Sequence, residues 1–249
     1  RLENIINFIS QSEADVLVFG ENNYPYLITD FNFKQIQKIL NHNQVVIIGG
    51  TRVNNNNYYN TLVNITSKSV DYFDKKILVP FGEFLPLRDF LFFFESISGS
   101  VDFSKGNKER LIKLKNNLNY LPVICYEIIF YWKLFNKFNQ KTDFIVNITN
   151  DIWFGNYIGP YQHLYIAKLR AAEFNKPIIR VSNNGISGII NERGKIVAST
   201  ELNKINTIKY RINLKQNKNH YLFHYLLKIY LVFMYFFLTV FYFKKNNEN

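Results

Sequence analysis

Cysteine, methionine and histidine are scarce in this 249-residue chain, at one, one and four copies. A single cysteine excludes an internal disulfide and any cysteine-rich zinc site. The four histidines, His42, His163, His220 and His224, come with no CxxC pattern. No metal and no cofactor is therefore expected. A chain of this length suits one large α/β domain or two small ones, with a core that needs no staple. Acid is the scarcer charge, 19 Asp and Glu against 30 Lys and Arg, which leaves a formal +11. That balance raises the question of nucleic acid or a membrane surface as partner. The lysines, however, are spread along a chain rich in Asn, Ile, Phe and Tyr, as AT-rich coding produces, so no nucleic-acid partner is expected. The chain opens on Arg1 without a signal-peptide pattern and is expected to be part of something longer.

What is present is an alternation of short apolar runs with helix-like stretches. Strands are expected at Asp15–Phe19, Gln44–Gly49, Tyr58–Ile65, Tyr120–Ile124, Phe144–Ile148, Ile178–Val181 and Ile186–Ile190. Helices are expected at Leu2–Glu13, Asn32–Asn41, Tyr126–Phe138 and His163–Asn175. Interleaved elements of this kind argue an α/β fold. Asn54–Asn57 reads as a solvated turn.

The composition changes after residue 220. Tyr221–Phe243 is almost wholly apolar, and Ile229–Phe243 carries no charge. A helix of that length reaches ~34 Å against a ~30 Å hydrocarbon core. His224 and Lys228 lie toward one end, where they can snorkel, and Tyr221, Tyr225 and Tyr242 suit the interfaces. One transmembrane helix over 221–243 and a polar tail over 244–249 are expected, after a domain over 1–215. Lys204, Lys209, Arg211, Lys215 and Lys218 precede the helix and only Lys244 and Lys245 follow it. A count of positive charge alone puts the domain in the cytoplasm, but that rule weakens for large translocated domains.

Four segments carry residues fit for chemistry. Cys125 closes a strand-like run and opens a helix-like one, and a helix N-terminus favours the thiolate. A cysteine there suits a nucleophile, and equally an inert core residue. Glu21 follows the run VLVF, where open α/β folds place working groups, although a loop acid reads the same way. Lys75 and Glu83 lie in DYFDKKILVPFGEFLPL. A buried lysine beside a carboxylate stays charged and can stabilise an oxyanion, whereas an exposed one marks a basic turn. In NITNDIWFGNYIGPYQH, Asn150, Trp153 and Phe154 follow a strand, where the aromatics can wall a pocket or anchor a surface turn.

Taken together, these segments resemble the carbon–nitrogen hydrolase (nitrilase) superfamily and, within it, the bacterial apolipoprotein N-acyltransferases. The superfamily pattern is Glu, Lys and Cys in that order at strand ends, matched by Glu21, Lys75 and Cys125. The acyltransferase text YDKxHLVPFGEYxP appears as FDKKILVPFGEFLP, and ICYE as Ile124–Glu127. NxxNDxWFG…GPxQH appears as Asn147–His163, followed by Arg170, Glu173, Pro177, Arg180 and Asn183-Asn184-Gly185. The likeness covers roughly residues 13–200 and the helix after them. Gly20 stands where the family usually has Pro, Ile77 stands where it has His, and the family's preceding transmembrane bundle is absent from this sequence.

The resemblance implies a nitrilase-like four-layer α-β-β-α sandwich followed by one transmembrane helix. It implies that Cys125 is the nucleophile, Glu21 the general base and Lys75 the oxyanion stabiliser. Glu83, Tyr126, Glu127, Asn150, Trp153 and Phe154 then support the site or bind substrate. A phospholipid is the implied acyl donor, and the α-amine of a diacylglyceryl-cysteine on an apolipoprotein is the acceptor. The implied location is the bacterial inner membrane, with the domain on the periplasmic side. Two other readings use the same residues: a membrane-anchored amidase with water as acceptor, and an inactive truncated remnant.

Overall fold

The computed structural model of the chain describes residues 2–91, 101–134, 141–214 and 221–247. Among these residues, two sheets form. One has four strands in the order β1 (Val16–Val18), β2 (Val45–Asn54), β3 (Asn57–Thr66) and β4 (Val70–Asp74). Only β1 and β2 pair in parallel; the rest is an antiparallel meander. The other has six strands: β5 (Ile112–Lys113), β6 (Asn119–Ile124), β7 (Phe144–Asn150), β8 (Ile178–Asn183), β9 (Gly188–Ile190) and β10 (Ile196–Ser199). They lie in the order β10-β9-β8-β7-β6-β5, with β6, β7 and β8 parallel and antiparallel strands on both flanks.

The period-2 alternation of side chains decides the layering. Val45, Ile47, Leu62 and Phe73 from one sheet meet Tyr120, Ile124, Phe144, Val146 and Ile148 from the other. The alternate residues Val46, Ile48, Val63 and Ile65 face outward onto Ile5 and Ile9 of the helix Leu2–Gln11 and Ile36 of the helix Lys34–Ile39. On the far side, Leu121, Val123 and Ile145 meet Leu164, Ala167 and Ala171 of the helix Gly159–Phe174. Three apolar layers between four structural ones make the expected α-β-β-α sandwich.

Local sequence explains several ends. Asn55 and Asn56, with φ of 48° and 62°, make the two-residue turn between β2 and β3, where asparagine tolerates the left-handed conformation. Gly159 and Pro160 start the long helix four residues before His163, because proline at the first turn loses no hydrogen bond. Asn175, at φ 50°, ends it.

Three strands escape the sequence reading. β5 is two residues long, while β4 and β10 are short and only partly buried, so their apolar signal is weak. The helix expected at Tyr126–Phe138 is corrected. Cys125–Ile129 forms a 3-10 turn and Tyr131–Leu134 one helical turn, while residues 135–138 lie outside the described residues. Cys125 enters that turn at φ 49°, and the Glu127 side chain folds back to accept the Ile124 N–H at 3.0 Å. Both features break a regular α-helical start.

The final helix, Tyr221–Asn247, contains a 19-residue stretch, Leu226–Lys244, with mean hydropathy 2.0 and no burial. That stretch is long and apolar enough to cross a membrane, at about 28 Å of rise against ~30 Å of hydrocarbon. It fits a single transmembrane helix. Lys215 and Lys218 of the flanking basic count lie outside the described residues.

Candidate active site

The C-terminal ends of strands in both sheets converge. Glu21 lies just past β1, Lys75 directly follows β4, and Cys125 directly follows β6. Their exposures are 5%, 1% and 7%. The carboxylate and the lysine thus come from one sheet, and the thiol comes from the other. Gly49 on β2 permits this approach, since a Cβ there would sit 2.7 Å from the Glu21 Cα.

Lys75 Nζ lies 2.9 Å from the Glu83 carboxylate and 3.9 Å from Glu21 Oε1. Asn60, on β3, donates from Nδ2 to Glu21 Oε1 at 2.6 Å and to Glu83 Oε1 at 2.8 Å. One amide therefore bridges the two carboxylates that flank the lysine. Glu21 Oε2 is buried with no hydrogen-bond partner, and the Cys125 thiol neighbours the Glu21 carboxyl group. Glu83 is fixed in turn by the Val79 N–H, which donates to its Oε2 at 2.9 Å.

Electrostatics follow from burial and these neighbours. Burial raises the Glu21 pKa, and the Lys75 charge and the Asn60 hydrogen bond only partly offset this. Burial opposes the charge on Lys75, but the negative groups at Glu21, Cys125 and Glu83 more than compensate, so its pKa is raised and it stays an ammonium. Burial, with Glu21 next in weight, pushes the Cys125 thiol up to about 12 against the pull of Lys75. The pull toward thiolate expected of a helix N-terminus is outweighed here. The thiol rests protonated, because desolvation outweighs the weak dipole of a five-residue 3-10 turn. Such a thiol reacts when a base removes its proton as it attacks. Cys125 holds φ 49°, a strained conformation for a residue with a side chain and one that recurs at working positions.

Two further buried networks brace the site. Glu127 is fully buried and accepts two 2.6 Å hydrogen bonds from Arg110. It also accepts the N–H groups of Lys76 at 2.8 Å, Ile77 at 3.1 Å and Ile124 at 3.0 Å. One carboxylate thereby ties the segment after Lys75 to the turn that bears Cys125. Its pKa is lowered: burial pushes upward, and Arg110 with the N–H donors prevails. The second network is Asp151, fully buried, with Arg180 at 2.6 Å, His163 Nδ1 at 2.8 Å and Thr149 Oγ1 at 3.1 Å. Beside Lys75, Asp74 is held by a two-pronged pair with Arg52 at 3.0 and 2.6 Å.

The structure thus brings Glu21, Lys75, Cys125 and Glu83 into one cluster. Glu127 is fully buried and joins the segment after Lys75 to the turn that bears Cys125. The Asn150 N–H and the Thr149 side chain hydrogen-bond to Cys125, while the Asn150 side chain accepts the Ile152 N–H at 3.3 Å. Tyr126 is half-buried and meets Phe130 edge-on at 5.0 Å. Trp153 and Phe154 stand outside the cluster, 72% and 39% exposed, with the Phe154 ring edge-on to His163 at 5.2 Å. Asn60 and Arg110 escape the sequence reading, because a single Asn or Arg in a strand or loop carries no local signal of its partner. Among the described residues, no three His, Cys, Asp or Glu side chains converge as a metal-binding group.

Comparison with known proteins agrees with this geometry. The carbon-nitrogen hydrolase family profile matches residues 1–219. The apolipoprotein N-acyltransferase of Rhizobium leguminosarum bv. trifolii (strain WSM2304) is 38% identical over 204 residues, which cover 76% of this chain and 38% of that protein. That of Rickettsia prowazekii (strain Madrid E) is 35% identical over 219 residues, covering 83% and 44%. The chain therefore spans about two fifths of the length of these relatives. In fold it is similar to a carbon-nitrogen hydrolase from Helicobacter pylori G27, with TM-score 0.60 at 14% identity over 82% of this chain and 81% of that one. It is also similar to Nit3 of Saccharomyces cerevisiae, a member of branch 10 of the nitrilase superfamily, with TM-score 0.58 at 19% identity over 82% and 80%. The four-layer sandwich, the strand-end cluster and the match across residues 1–219 agree: the chain belongs to the carbon–nitrogen hydrolase family.

Proposed function

We propose that the chain carries the acyl-transfer chemistry of an apolipoprotein N-acyltransferase. The observation that carries this reading is the buried cluster of Glu21, Lys75 and Cys125 in a chain similar to proteins of that name. The acyl donor is a phospholipid and the acceptor is the α-amine of a diacylglyceryl-cysteine on an apolipoprotein.

Glu21 takes the thiol proton as Cys125 Sγ attacks the ester carbonyl. The tetrahedral oxyanion forms beside the Lys75 ammonium, which stabilises it without reorganising. The carbon–oxygen bond breaks, the leaving alkoxide takes the proton from Glu21, and a thioester remains on Cys125. In the second half, the neutral amine attacks the thioester and Glu21 takes its proton. The carbon–sulfur bond breaks, and Glu21 returns the proton to the sulfur. Glu83 holds Lys75 in place through its 2.9 Å contact. A raised Glu21 pKa suits a group that must both accept and return a proton.

The apolar stretch Leu226–Lys244 supports a bilayer anchor, which a lipid-to-lipoprotein transfer needs and a soluble amidase does not. We place it in the bacterial inner membrane with the catalytic domain on the periplasmic side. The test is to incubate membranes holding the chain with phospholipid and a diacylglyceryl-cysteinyl peptide. A third acyl chain on the peptide amine, lost in Cys125→Ser, is the expected result. Ammonia release from small amides, with no lipid dependence and no peptide acylation, would replace this reading with an amidase.

A further inference from the structure

We propose that Asn183 is a positioning residue for Glu21: its side chain crosses from one sheet to the other and sets the base against the nucleophile. The inference rests on Glu21 acting as the base. Asn183 closes β8 and pairs with Asn150 on the last rung of the β7–β8 ladder. That rung reaches both partners of the proton transfer. The Asn150 N–H hydrogen-bonds to Cys125, and Asn183 Nδ2 donates to the backbone carbonyl of Glu21. Asn23 completes the contact, donating to Asn183 Oδ1 at 2.9 Å and accepting the Gly20 N–H at 3.0 Å. The loop Gly20–Asn23 is thus held to the second sheet by one side chain.

Gly20 gives this contact its room. A Cβ on residue 20 would lie 2.3 Å from Asn183 Oδ1 and 3.0 Å from its Cγ, closer than side chains tolerate. Glycine at 20 and asparagine at 183 are therefore one device. Within its own sheet the segment's backbone is tied to β2, where the Gly49 N–H donates to the Gly20 carbonyl at 3.1 Å and the Tyr24 N–H to the Gly49 carbonyl at 2.9 Å, so Asn183 supplies the hold from the second sheet. Misplacing a catalytic group by about 1 Å costs on the order of 10²-fold in rate, so a contact that fixes the Glu21 backbone acts on the rate through Glu21.

The experiment is the pH profile of iodoacetamide alkylation at Cys125, the single cysteine, on the full chain in detergent micelles. A thiol held up to about 12 reacts in the neutral range chiefly through an internal base, which produces a pH-independent plateau. Without that base, the rate climbs about tenfold per pH unit, in step with the thiolate fraction. Glu21→Gln is expected to abolish the plateau. Asn183→Ala is expected to lower it by about 100-fold, and Gly20→Ala to lower it through displacement of Asn183. Gly20→Ala added to Asn183→Ala is expected to cost nothing more. An unchanged plateau in Asn183→Ala, with the plateau lost in Glu21→Gln, would overturn the inference and leave the base assignment standing. A plateau retained in Glu21→Gln would remove both. Should Asn183→Ala fail to fold, Gly20→Ala decides alone: a lowered plateau supports the inference and an unchanged one overturns it.

Discussion

Replacing Arg110 by Met tests how the two sheets are held together at the site. Arg110 donates twice to Glu127, at 2.6 Å each, and once to the Pro122 carbonyl, at 2.8 Å. The substitution leaves Glu127, which has no exposed surface, as a charge supported only by the N–H groups of Ile124, Lys76 and Ile77. Orphaning one member of a buried ion pair costs about 3–5 kcal/mol. For a domain of this size, each kcal/mol moves the melting temperature by roughly 2–4 °C, so a fall on the order of 10 °C is expected. Differential scanning fluorimetry of the full chain in detergent measures it. The double variant Arg110→Met/Glu127→Gln is expected to recover part of the loss, because the orphaned charge is gone. A loss below about 1 kcal/mol, the worth of a solvated pair, or strict additivity in the double variant, would refute the claim that this pair braces the site.

Other consequences follow from the same geometry. Lys75→Met removes the cation beside the oxyanion and is expected to lower kcat by about 10²–10³, with KM little changed; equal effects on both would contradict the role. Asn60→Leu removes a donor that lowers the Glu21 pKa, so that pKa rises further. The base works when ionised, so the acid limb of the kcat/KM profile is expected to move to higher pH, and an unmoved limb would count against the bridge. Asp151 has its pKa lowered from 3.8 to about 2, burial opposing and His163 and Arg180 prevailing. A depressed folded-state pKa gives stability that is present above the unfolded value and lost as pH falls through the folded one. Asp151 is thus expected to contribute on the order of 2 kcal/mol that fades between about pH 4 and pH 2. Comparing wild type with Asp151→Asn across that range measures it, and an equal acid sensitivity in both would remove the assignment.

The layers were readable because apolar runs with period 2 and helices with period 3.6 leave local signals. β2, β3, β6 and β7 emerge near the places where VVIIG, YYNTLVNI, YLPVI and FIVNI stand. Glu21 and Cys125 could be singled out as candidates because each stands just after such a run, and Lys75 because the family resemblance marked it. The partners that hold these residues were not readable. Asn60 lies 39 residues from Glu21, Arg110 17 from Glu127, and Asn183 162 from Glu21. Such contacts are decided by which strands become neighbours, and no local pattern encodes that. The helix after Cys125 was misread for the same reason. Its propensity is overridden by Glu127, whose side chain turns inward to serve N–H groups of another segment. The protonation state of Cys125 depends on burial, which the sequence reports only indirectly.

In the proposed mechanism Cys125 accepts an acyl group with Glu21 as its base. Intact-mass spectrometry of the full chain, after incubation with phospholipid and no acceptor, tests it most directly. The expected result is a mass increase of one acyl chain, localised to Cys125 by peptide mapping, released by hydroxylamine, and absent in both Cys125→Ser and Glu21→Gln. An adduct that persists in Cys125→Ser, or its absence from wild-type chain that transfers acyl groups to the peptide, would contradict it.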